Sequence, residues 1–342
     1  MMKNNKTMKI IIISVAIVLV ISIIAVLAIV LIPKNSDNQN NNNQVSEETN
    51  TVDENVAQDE NTVDQENEDT QEVEYVETSD GSKIPLPKGF TYVEGTVSTG
   101  AVIKDEKGNE FVWVPTDNIV FARRTFENPN TNTSDEENTT NIGSTNEVEV
   151  AEANFSESAE SNAEYMDSVN KYRGFYIGRY EASQDAEDEN KASTVSGAVP
   201  LTEIVYDRMR EIAQNTYADS SSVKSDITSS FVWDTLCKWL ENSGYDIYNS
   251  TSYGNYANNI EGTKSKAVTG RNSKWVTNNI YDLAGNVWEI STEEWGDIYE
   301  KNHSGRGGGF HNDGINYPIS CRVAEYDGAY TYIGFRLVLY LK

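Results

Sequence analysis

The stretch NNIYDLAGNVWEISTEEW, residues 278–295, is the most unusual one in this chain. It holds two carboxylates seven positions apart, Asp282 and Glu289, with Gly285 between them to permit a tight turn. Hard oxygen ligands from the side chains and carbonyls of one loop are what Ca²⁺ accepts. The stretch can therefore belong to a catalytic signature or to the frame of a domain that only binds.

The segments around this stretch predict strands. GAVIKDEKGNEFVWVP (residues 100–115) alternates apolar and polar residues on both sides of a Lys-Gly-Asn turn, which predicts a β-hairpin. GFYIGRYEAS (residues 174–183) is a second candidate strand, rich in aromatic residues. The last predicted strand, in GFRLVLYLK, places four apolar side chains on one side: Phe335, Leu337, Leu339 and Leu341.

Two segments have the period of amphipathic helices. In LTEIVYDRMREIA (residues 201–213) we expect the helix to begin near Thr202 and Glu203. Its apolar face consists of Leu201, Ile204, Val205, Met209 and Ile212. In SSFVWDTLCKWLENSG (residues 229–244) Ser230 is the predicted N-cap, and Gly244 lies past the end. Two helices among short strands and long loops predict an α+β domain.

The N-terminal segment predicts a membrane anchor. Residues 10–32 are apolar except for two serines, and as a helix they would extend about 34 Å, enough to cross a bilayer. A cleaved signal peptide is the alternative, although its apolar region is normally shorter. Three lysines precede the span and a single one follows closely, so residues 1–9 are expected in the cytoplasm and the rest of the chain outside.

The net charge of -27 is concentrated in two segments. Residues 35–80 contain 15 acids and residues 125–170 contain 11, without a Lys or Arg in either, which leaves 28 acids against 27 bases elsewhere. Because the first segment lacks the apolar residues of a core, residues 33–80 are predicted to form a disordered acidic stalk. Residues 125–170 are predicted to be a disordered insertion within a domain over residues 81–342. No basic stripe remains, which excludes nucleic acid as a partner.

Three motifs then follow one another: DLAGNVWEIS (residues 282–291), RGGGF (residues 306–310) and IGFRLVLY (residues 333–340). In this order and spacing they resemble the formylglycine-generating enzyme family, also called the sulfatase-modifying factor family. The hairpin, the aromatic strand and the two helices are also similar to earlier parts of that family. The resemblance covers most of residues 90–342. It implies a C-type-lectin-like fold with short antiparallel sheets, two main helices and much irregular loop, here preceded by one transmembrane helix.

The family's active members oxidise a cysteine of a sulfatase to formylglycine, and they hold Cu(I) with a cysteine pair that follows the glycine-rich motif. The matching positions here are Asn312 and Tyr317, or Asp313 and Pro318 after a shift of one residue. None of these is a thiol, and Cys321 nearby cannot make a two-coordinate site alone. Copper is therefore not expected. An oxidase stays as the alternative function, and a structural envelope protein is a second alternative.

The other reactive residue types indicate no further catalyst. His303 and His311 are too few for the three-histidine iron site of the related ergothioneine-type synthases, and we expect them to be solvated loop residues. The sequence contains no GxSxG motif and no P-loop. Cys237 and Cys321 can form a disulfide in a domain that faces outward, or Cys237 can pack as a small hydrophobic residue on its helix.

The resemblance assigns the opening motif to a calcium loop. By similarity to the family, Asp282 and Glu289 would give side-chain oxygens and Gly285 and Val287 main-chain carbonyls to a structural Ca²⁺. The family usually has Asn at the first of these positions, and Asp282 still offers an oxygen. The alternative needs no metal: Asp282 caps a turn, and Glu289 is buried against Arg336.

The segment HNDGINYPISCRVAEYDGAYTY, residues 311–332, is rich in Tyr, Asn, Asp, Ser and Gly, the composition of adaptable recognition surfaces. In the family this segment lines the substrate cleft, and an ordinary surface loop is the alternative. We predict a bacterial cell-surface protein, anchored in the cell membrane, whose outer domain has lost the oxidase chemistry and binds a peptide, protein or glycan. The predicted ligand-binding residues are Asn312, Asp313, Tyr317, Tyr326, Tyr330 and Tyr332.

Overall fold

The computed structural model describes five stretches of the chain: residues 73–126, 155–158, 160–296, 301–325 and 327–342. Residues 1–9, the predicted membrane span 10–32 and most of the predicted stalk lie outside these stretches. Within them, no helix combines the length and the hydropathy that a membrane crossing requires.

The described residues form three α-helices and many short strands. The helices are α1 (Ala163–Tyr172), α2 (Tyr206–Thr216) and α3 (Ser230–Asn242). The strands are β1 (Glu74–Glu77), β2 (Lys83–Leu86), β3 (Phe90–Glu94), β4 (Val102–Asp105), β5 (Glu110–Pro115), β6 (Phe155–Ser156), β7 (Gly174–Gly178), β8 (Ser183–Gln184), β9 (Ala192–Ser193), β10 (Val223–Ile227), β11 (Val276–Thr277), β12 (Ile280–Tyr281), β13 (Trp288–Gly296), β14 (Lys301–Arg306), β15 (Arg322–Glu325), β16 (Ile333–Gly334) and β17 (Leu337–Leu341). The prediction of an α+β domain with antiparallel sheets is confirmed, with one helix more than expected.

The largest sheet has six antiparallel strands in the order β10-β17-β7-β5-β4-β3. Its inner strands β7 and β17 are buried at every position. Because successive side chains of a strand point to opposite faces, each strand contributes to two cores. Tyr176 and Leu339 lie in one core, and Ile177 and Val338 lie in the other. The sheet is therefore a middle layer covered on both faces.

The helices cover these two faces. α2 places Met209 and Ile212 in the core that contains Tyr176. α3 contributes to the opposite core with Val232, Trp233, Leu236, Trp239 and Leu240. Each such side chain gains roughly 1.5–3 kcal/mol on burial, so the two apolar helix faces are a main reason that the layers stay together.

Two predicted strand elements are confirmed. β4 and β5 pair as an antiparallel hairpin, and in its turn Asp105 Oδ1 accepts a hydrogen bond from the N–H of Asn109 at 2.8 Å. The four alternate residues of the last predicted strand all lie in one core, although β17 itself begins only at Leu337: Phe335, Leu337, Leu339 and Leu341. In the aromatic segment 174–183, the first five residues form β7 and Ser183 is the first residue of β8.

The first predicted helix begins later than expected. α2 starts at Tyr206 rather than near Thr202 and Glu203. Glu203 has a φ of 64°, in the left-handed region that a right-handed helix cannot include. The hydroxyl of Thr202 accepts a hydrogen bond from the ammonium group of Lys266 at 2.5 Å instead of capping a helix.

The second predicted helix is confirmed, but its N-cap is one residue earlier. Ser229 is the cap, since its hydroxyl accepts a hydrogen bond from the N–H of Val232 at 3.2 Å. The backbone N–H of Ser230 donates to the carboxylate of Glu157 at 2.8 Å. Gly244 lies past the helix end with a φ of 90°, as predicted.

Both predicted disordered segments extend too far. The stalk cannot reach residue 80, because β1 (Glu74–Glu77) pairs antiparallel with β2. The insertion cannot reach residue 170, because Phe155 pairs with Trp295 of β13 and because Val169 of α1 is buried in a hydrophobic core. Acidic composition misled both predictions, since a short strand or helix needs few buried side chains once a larger core exists. Residues 127–154 lie outside the described stretches.

The second sheet carries the predicted binding segment. Its strand order is β15-β14-β13-β16, and β6 pairs with the far part of β13. The opening motif enters this sheet at Trp288, where β13 runs parallel to β16 with Trp288 opposite Ile333. Residues 307–321 connect β14 to β15, so the segment 311–332 begins in that loop and ends where β16 begins.

Candidate functional site

The loop over residues 307–321 is fixed by hydrogen bonds from buried side chains. The indole N–H of Trp233 donates to the carbonyl of Ile319 at 2.8 Å. The hydroxyl of Tyr256 lies 2.7 Å and 2.8 Å from the carbonyl oxygens of Gly307 and Tyr317. Both donors are fully buried. Since an unpaired buried donor costs roughly 1–3 kcal/mol, these bonds favour a single loop conformation.

The glycine-rich turn after β14 is closely packed at Gly308. Its φ is 75°, and a Cβ there would lie 2.5 Å from the carbonyl oxygen of Tyr317. We expect Gly308→Ala to displace the loop and to lower the free energy of unfolding by more than the roughly 1–2 kcal/mol of a left-handed alanine alone. Gly197→Ala is the matched control, with a φ of 79° and open space around it. Urea unfolding of both variants checks this, and equal losses would contradict the close packing.

Four side chains of the segment form an aromatic patch around Trp288: His311, Tyr317, Tyr330 and Tyr332. Tyr317 packs edge-on against Trp288 with a centroid distance of 5.7 Å. Tyr330 and Tyr332 stack at 5.3 Å, and His311 meets Tyr332 edge-on at 5.0 Å. His311 is exposed and the three tyrosines are partly buried, so the rings are held in place while part of each stays accessible.

Glu325, at the end of β15, joins the aromatic patch. A Cβ built on Gly305 would lie 2.6 Å from Cγ of Glu325 and 3.2 Å from the ring of Trp288, so this glycine leaves room for the glutamate beside the indole. Burial raises the pKa of Glu325 to about 7. Burial and then the charge of Glu325 raise the pKa of Tyr332. A carboxyl that titrates near neutral pH is characteristic of functional sites.

The structure brings together three of the six predicted ligand-binding residues, namely Tyr317, Tyr330 and Tyr332. Tyr326 lies outside the described residues. Sequence reasoning did not select Glu325, although it lies within the predicted segment. The available signal was the alternation of RVAE, which puts Glu325 on the same face of β15 as Val323.

Asn312 and Asp313 use their side chains within the loop. Asn312 Oδ1 accepts a hydrogen bond from the N–H of Gly309 at 2.9 Å. Asp313 Oδ1 accepts from the N–H groups of Ile315 and Asn316 at 3.0 Å and 2.8 Å. Both residues therefore shape the loop that presents the aromatic patch, and a direct role in binding stays a prediction.

The opening motif folds around a buried acid cluster, which we define as Glu181, Asp282 and Glu289 with Arg336. Glu289 Oε1 and Oε2 accept hydrogen bonds from Nε of Arg336 at 2.9 Å and 3.0 Å, and Nη2 adds a third at 2.5 Å. Asp282 Oδ2 accepts from the N–H of Gly270 at 2.7 Å. Its Oδ1 is buried and has no partner among the described residues.

Glu181 is a member of this cluster that the sequence did not indicate. It is fully buried and accepts hydrogen bonds from the N–H of Val287 at 3.1 Å and from the side-chain amide of Asn286 at 2.5 Å. Burial, and then the charges of Asp282 and Glu289, raise the pKa of Glu181 well above its usual range. Burial also raises the pKa of Asp282 to about 7.

Among the predicted calcium ligands Asp282, Gly285, Val287 and Glu289, the carboxylate of Glu289 is already paired with Arg336. The guanidinium of Arg336 occupies both oxygens of Glu289, and its positive charge opposes a cation at that place. Among the residues that the structure describes, no three His, Cys, Asp or Glu side chains are arranged to hold a metal ion. The ion pair between Glu289 and Arg336, given above as the alternative, is present. Calcium binding stays a prediction.

The two cysteines are separate, buried thiols rather than a disulfide. Burial raises the pKa of Cys237 far above its usual value, and it raises the pKa of Cys321 to about 12. Because the thiolate is the nucleophile and the metal ligand, neither side chain is reactive at neutral pH. Cys237 packs in a core between α3 and the large sheet, as its apolar helix face predicts.

The expectation that His303 is a solvated loop residue is wrong. It lies in β14, its Nδ1 is 2.9 Å from a carboxylate oxygen of Asp327, and its ring stacks on Tyr206. Together with Tyr206 and Arg210 it lines a cleft of 640 Å³. His311, in contrast, is exposed, as expected. Burial of part of the ring lowers the pKa of His311.

Comparisons with known proteins return structural similarity only. No protein-family model matches the sequence, and no curated protein is significantly similar to it. Similar solved structures include CarF (15% identity, TM-score 0.37, 49% of this chain and 87% of CarF) and PvdO from Pseudomonas aeruginosa (13%, 0.43, 70% and 98%). A third is Treponema denticola variable protein 1 (13%, 0.41, 74% and 99%). At this level of similarity, function has to be argued from the site itself.

Proposed function

We propose that the chain is a single-pass membrane protein whose extracytoplasmic domain binds a peptide, protein or glycan through the aromatic patch. In this proposal the domain is of the sulfatase-modifying-factor type, a C-type-lectin-like domain that does not carry out the family's oxidation. The three ordered motifs and the α+β architecture support the domain type. The apolar residues 10–32 and the lysines before them support the anchor and its orientation.

The observation that carries the binding function is the aromatic patch on a fixed loop. Tyr317, Tyr330 and Tyr332 combine apolar ring surface with a hydroxyl, and each has few rotatable bonds to immobilise on binding. Buried hydrogen bonds from Trp233 and Tyr256 hold the loop beneath them. A preorganised surface of this kind loses little entropy when it captures a ligand.

The chemistry near the patch favours binding over the oxidase alternative. Cys321 is the nearest thiol in sequence to the patch residues, and its raised pKa keeps it protonated at neutral pH. The positions where relatives would place the copper-binding pair hold Asn312 and Tyr317, an amide and a phenol. An amide and a phenol suit hydrogen bonding and stacking better than the coordination of a soft Cu(I) ion.

The full chain, purified in detergent, should bind a subset of a glycan and peptide array. Truncation of a hot-spot tyrosine typically costs about 2 kcal/mol or more, so Tyr332→Ala is expected to weaken binding of the captured ligand by roughly tenfold or more. Tyr75→Ala is the control, because Tyr75 is 52% exposed in β1 and outside the patch. Thermal unfolding of each variant verifies the fold. Equal binding by the wild type and a folded Tyr332→Ala variant would move the site elsewhere.

A further inference from the structure

Glu325 stands out in the aromatic patch because its carboxylate is unpaired within the part of the chain that the structure describes. It is partly buried, and burial alone accounts for the rise of its pKa. The buried acids Asp234 and Glu293 of the neighbouring network differ in this respect, since each contacts an arginine. A partly desolvated carboxyl without a partner opposes folding, so its place in the patch requires an explanation.

The strand register shows what surrounds this carboxylate. Glu325 lies directly opposite His303 on β14, and the neighbouring pair is Gly305 with Val323. Since Gly305 has no side chain, the aliphatic part of Glu325 packs against β14 at this glycine, close to the ring of Trp288. Tyr332 is close enough that the charge of Glu325 contributes to the rise of its pKa, after burial.

The cationic side chains nearest to Glu325 along β14 and β15 are paired with other acids. Arg322 and Arg306 are buried and contact Asp234, and Arg322 points to the face of β15 opposite Glu325. His303 contacts Asp327 through Nδ1. Desolvation lowers the pKa of His311, so this exposed ring of the patch is neutral at pH 7.

We infer that the aromatic patch binds a positively charged side chain, the guanidinium or ammonium of an arginine or lysine in a peptide or protein, with Glu325 as its charge partner. The inference rests on the proposed function and specifies its ligand. A cation gains from a carboxylate and from the faces of aromatic rings within about 6 Å, and both are present here. The faces are those of the stacked Tyr330 and Tyr332, and the apolar stem of the ligand would lie along the partly buried Tyr317.

The inferred ligand requires the ionised form of Glu325, so binding should depend on pH. The groups that face Glu325 are His303 with Asp327 across β14, and Tyr332 and Cys321 on its own segment. Because their pKa values are raised, Tyr332 and Cys321 stay neutral between about pH 6 and about pH 8. Binding of a cation should therefore strengthen from about pH 6 to about pH 8 as Glu325 loses its proton.

The test uses the full chain in detergent and three pentapeptide probes. The probes are acetyl-Gly-Gly-Xaa-Gly-Gly-amide with arginine, lysine or citrulline at the middle position, and ligand-observed NMR measures their affinities. Citrulline has nearly the shape of arginine without its charge. We expect the arginine and lysine probes to bind about tenfold more tightly than citrulline at pH 8, and Glu325→Gln to remove this preference. Glu74→Gln, at an exposed position of β1, is the control.

The results separate this inference from the proposed function. Equal binding of arginine and citrulline probes, with loss of both in Tyr332→Ala, would overturn the cation inference and support the patch as a binding site. A charge preference that persists in a folded Glu325→Gln variant would also overturn it. If all three probes fail to bind while the array yields a ligand that depends on Tyr332 and carries no positive charge, the cation inference is wrong and the proposed function stands. If the wild type and the Tyr332→Ala variant bind equally well in both experiments, the proposed function itself is contradicted.

Discussion

Replacement of Asp234 by alanine is expected to destabilise the domain more than any other single change proposed for this protein. Asp234 lies in α3 with its side chain fully buried. Oδ1 accepts a hydrogen bond from Nη2 of Arg306 at 2.6 Å, and Oδ2 accepts one from Nη2 of Arg322 at 2.6 Å. Oδ2 also accepts from the backbone N–H of Arg124 at 2.8 Å. One carboxylate therefore joins α3, β14, β15 and the segment after β5.

The size of the effect follows from what the substitution leaves behind. Loss of one partner of a buried ion pair costs about 3–5 kcal/mol, because the other charge stays buried and uncompensated. Here two guanidinium groups are affected. Arg322 would keep Glu293, but Arg306 already has Nε and Nη1 without partners among the described residues. Since domains are typically stable by about 5–15 kcal/mol, Asp234→Ala should leave little or no native population.

Urea unfolding and the soluble yield measure this prediction. Asp219→Ala is the matched control, because the side chain of Asp219 is 96% exposed and its unfolding free energy should change by less than about 0.5 kcal/mol. Asp234→Asn keeps one acceptor oxygen but replaces the other with an NH2 group and removes the charge, so we expect an intermediate loss that can still be measured if the alanine variant does not fold. A wild-type midpoint for both Asp234 variants would show that the network contributes nothing to stability.

Local sequence patterns predicted the parts of the fold that depend on local rules. The alternation in residues 334–342 predicted one common side for Phe335, Leu337, Leu339 and Leu341, since side chains alternate in any strand. The turn of the β4–β5 hairpin also follows from neighbouring residues, in this case Asp105 and Asn109. The start of α2 was predicted wrongly, because the left-handed Glu203 interrupts a segment whose hydrophobic spacing continues through it.

The candidate site depended on contacts between distant parts of the chain. Glu181 joins the acid cluster through Asn286 and Val287, more than 100 positions away, and no spacing rule connects them. The desolvation of Glu325 depends on the neighbouring strand at Gly305 and on Trp288 beneath it. Composition indicated the correct segment, because tyrosines suited to recognition are enriched there. It could not distinguish Asn312, which shapes the loop, from Tyr332, which lies in the aromatic patch.

The buried acid cluster is expected to make the domain less stable as the pH rises above about 4. Glu289 and Arg336 form a two-pronged ion pair, which leaves Glu181 and Asp282 without a positive charge of their own. The folded state therefore favours their protonated forms. Burial raises the pKa of Asp282 from an ordinary value of 3.8 to about 7, and that of Glu181 is raised as well.

The sign of the effect follows from proton linkage. An acid with a raised pKa in the folded state binds more protons there than in the unfolded chain, so stability is fully present below the unfolded pKa and is lost as the pH rises through the folded value. For Asp282 the window extends from about pH 4 to about pH 7. At about 1.4 kcal/mol per pKa unit, the loss is on the order of 4 kcal/mol. Glu293 acts in the opposite direction but in a lower window. Burial alone would raise its pKa, but Arg322 and Arg123 outweigh burial and hold it at about 2.

Asp282→Asn isolates this contribution. Asparagine tolerates the left-handed φ of 58° at this position, and its side-chain oxygen can still accept the hydrogen bond from Gly270. In EDTA we expect the variant to be more stable than the wild type by a few kcal/mol at pH 8 and by clearly less at pH 5, whereas Asp219→Asn should follow the wild type throughout. Addition of CaCl₂ tests the calcium prediction in the same samples. Because asparagine also offers a side-chain oxygen, calcium should stabilise both proteins at pH 8 if the loop binds it, and no effect of calcium on either protein would contradict the calcium prediction. If the two proteins differ equally at pH 5 and pH 8, the acid cluster does not hold its protons near neutral pH.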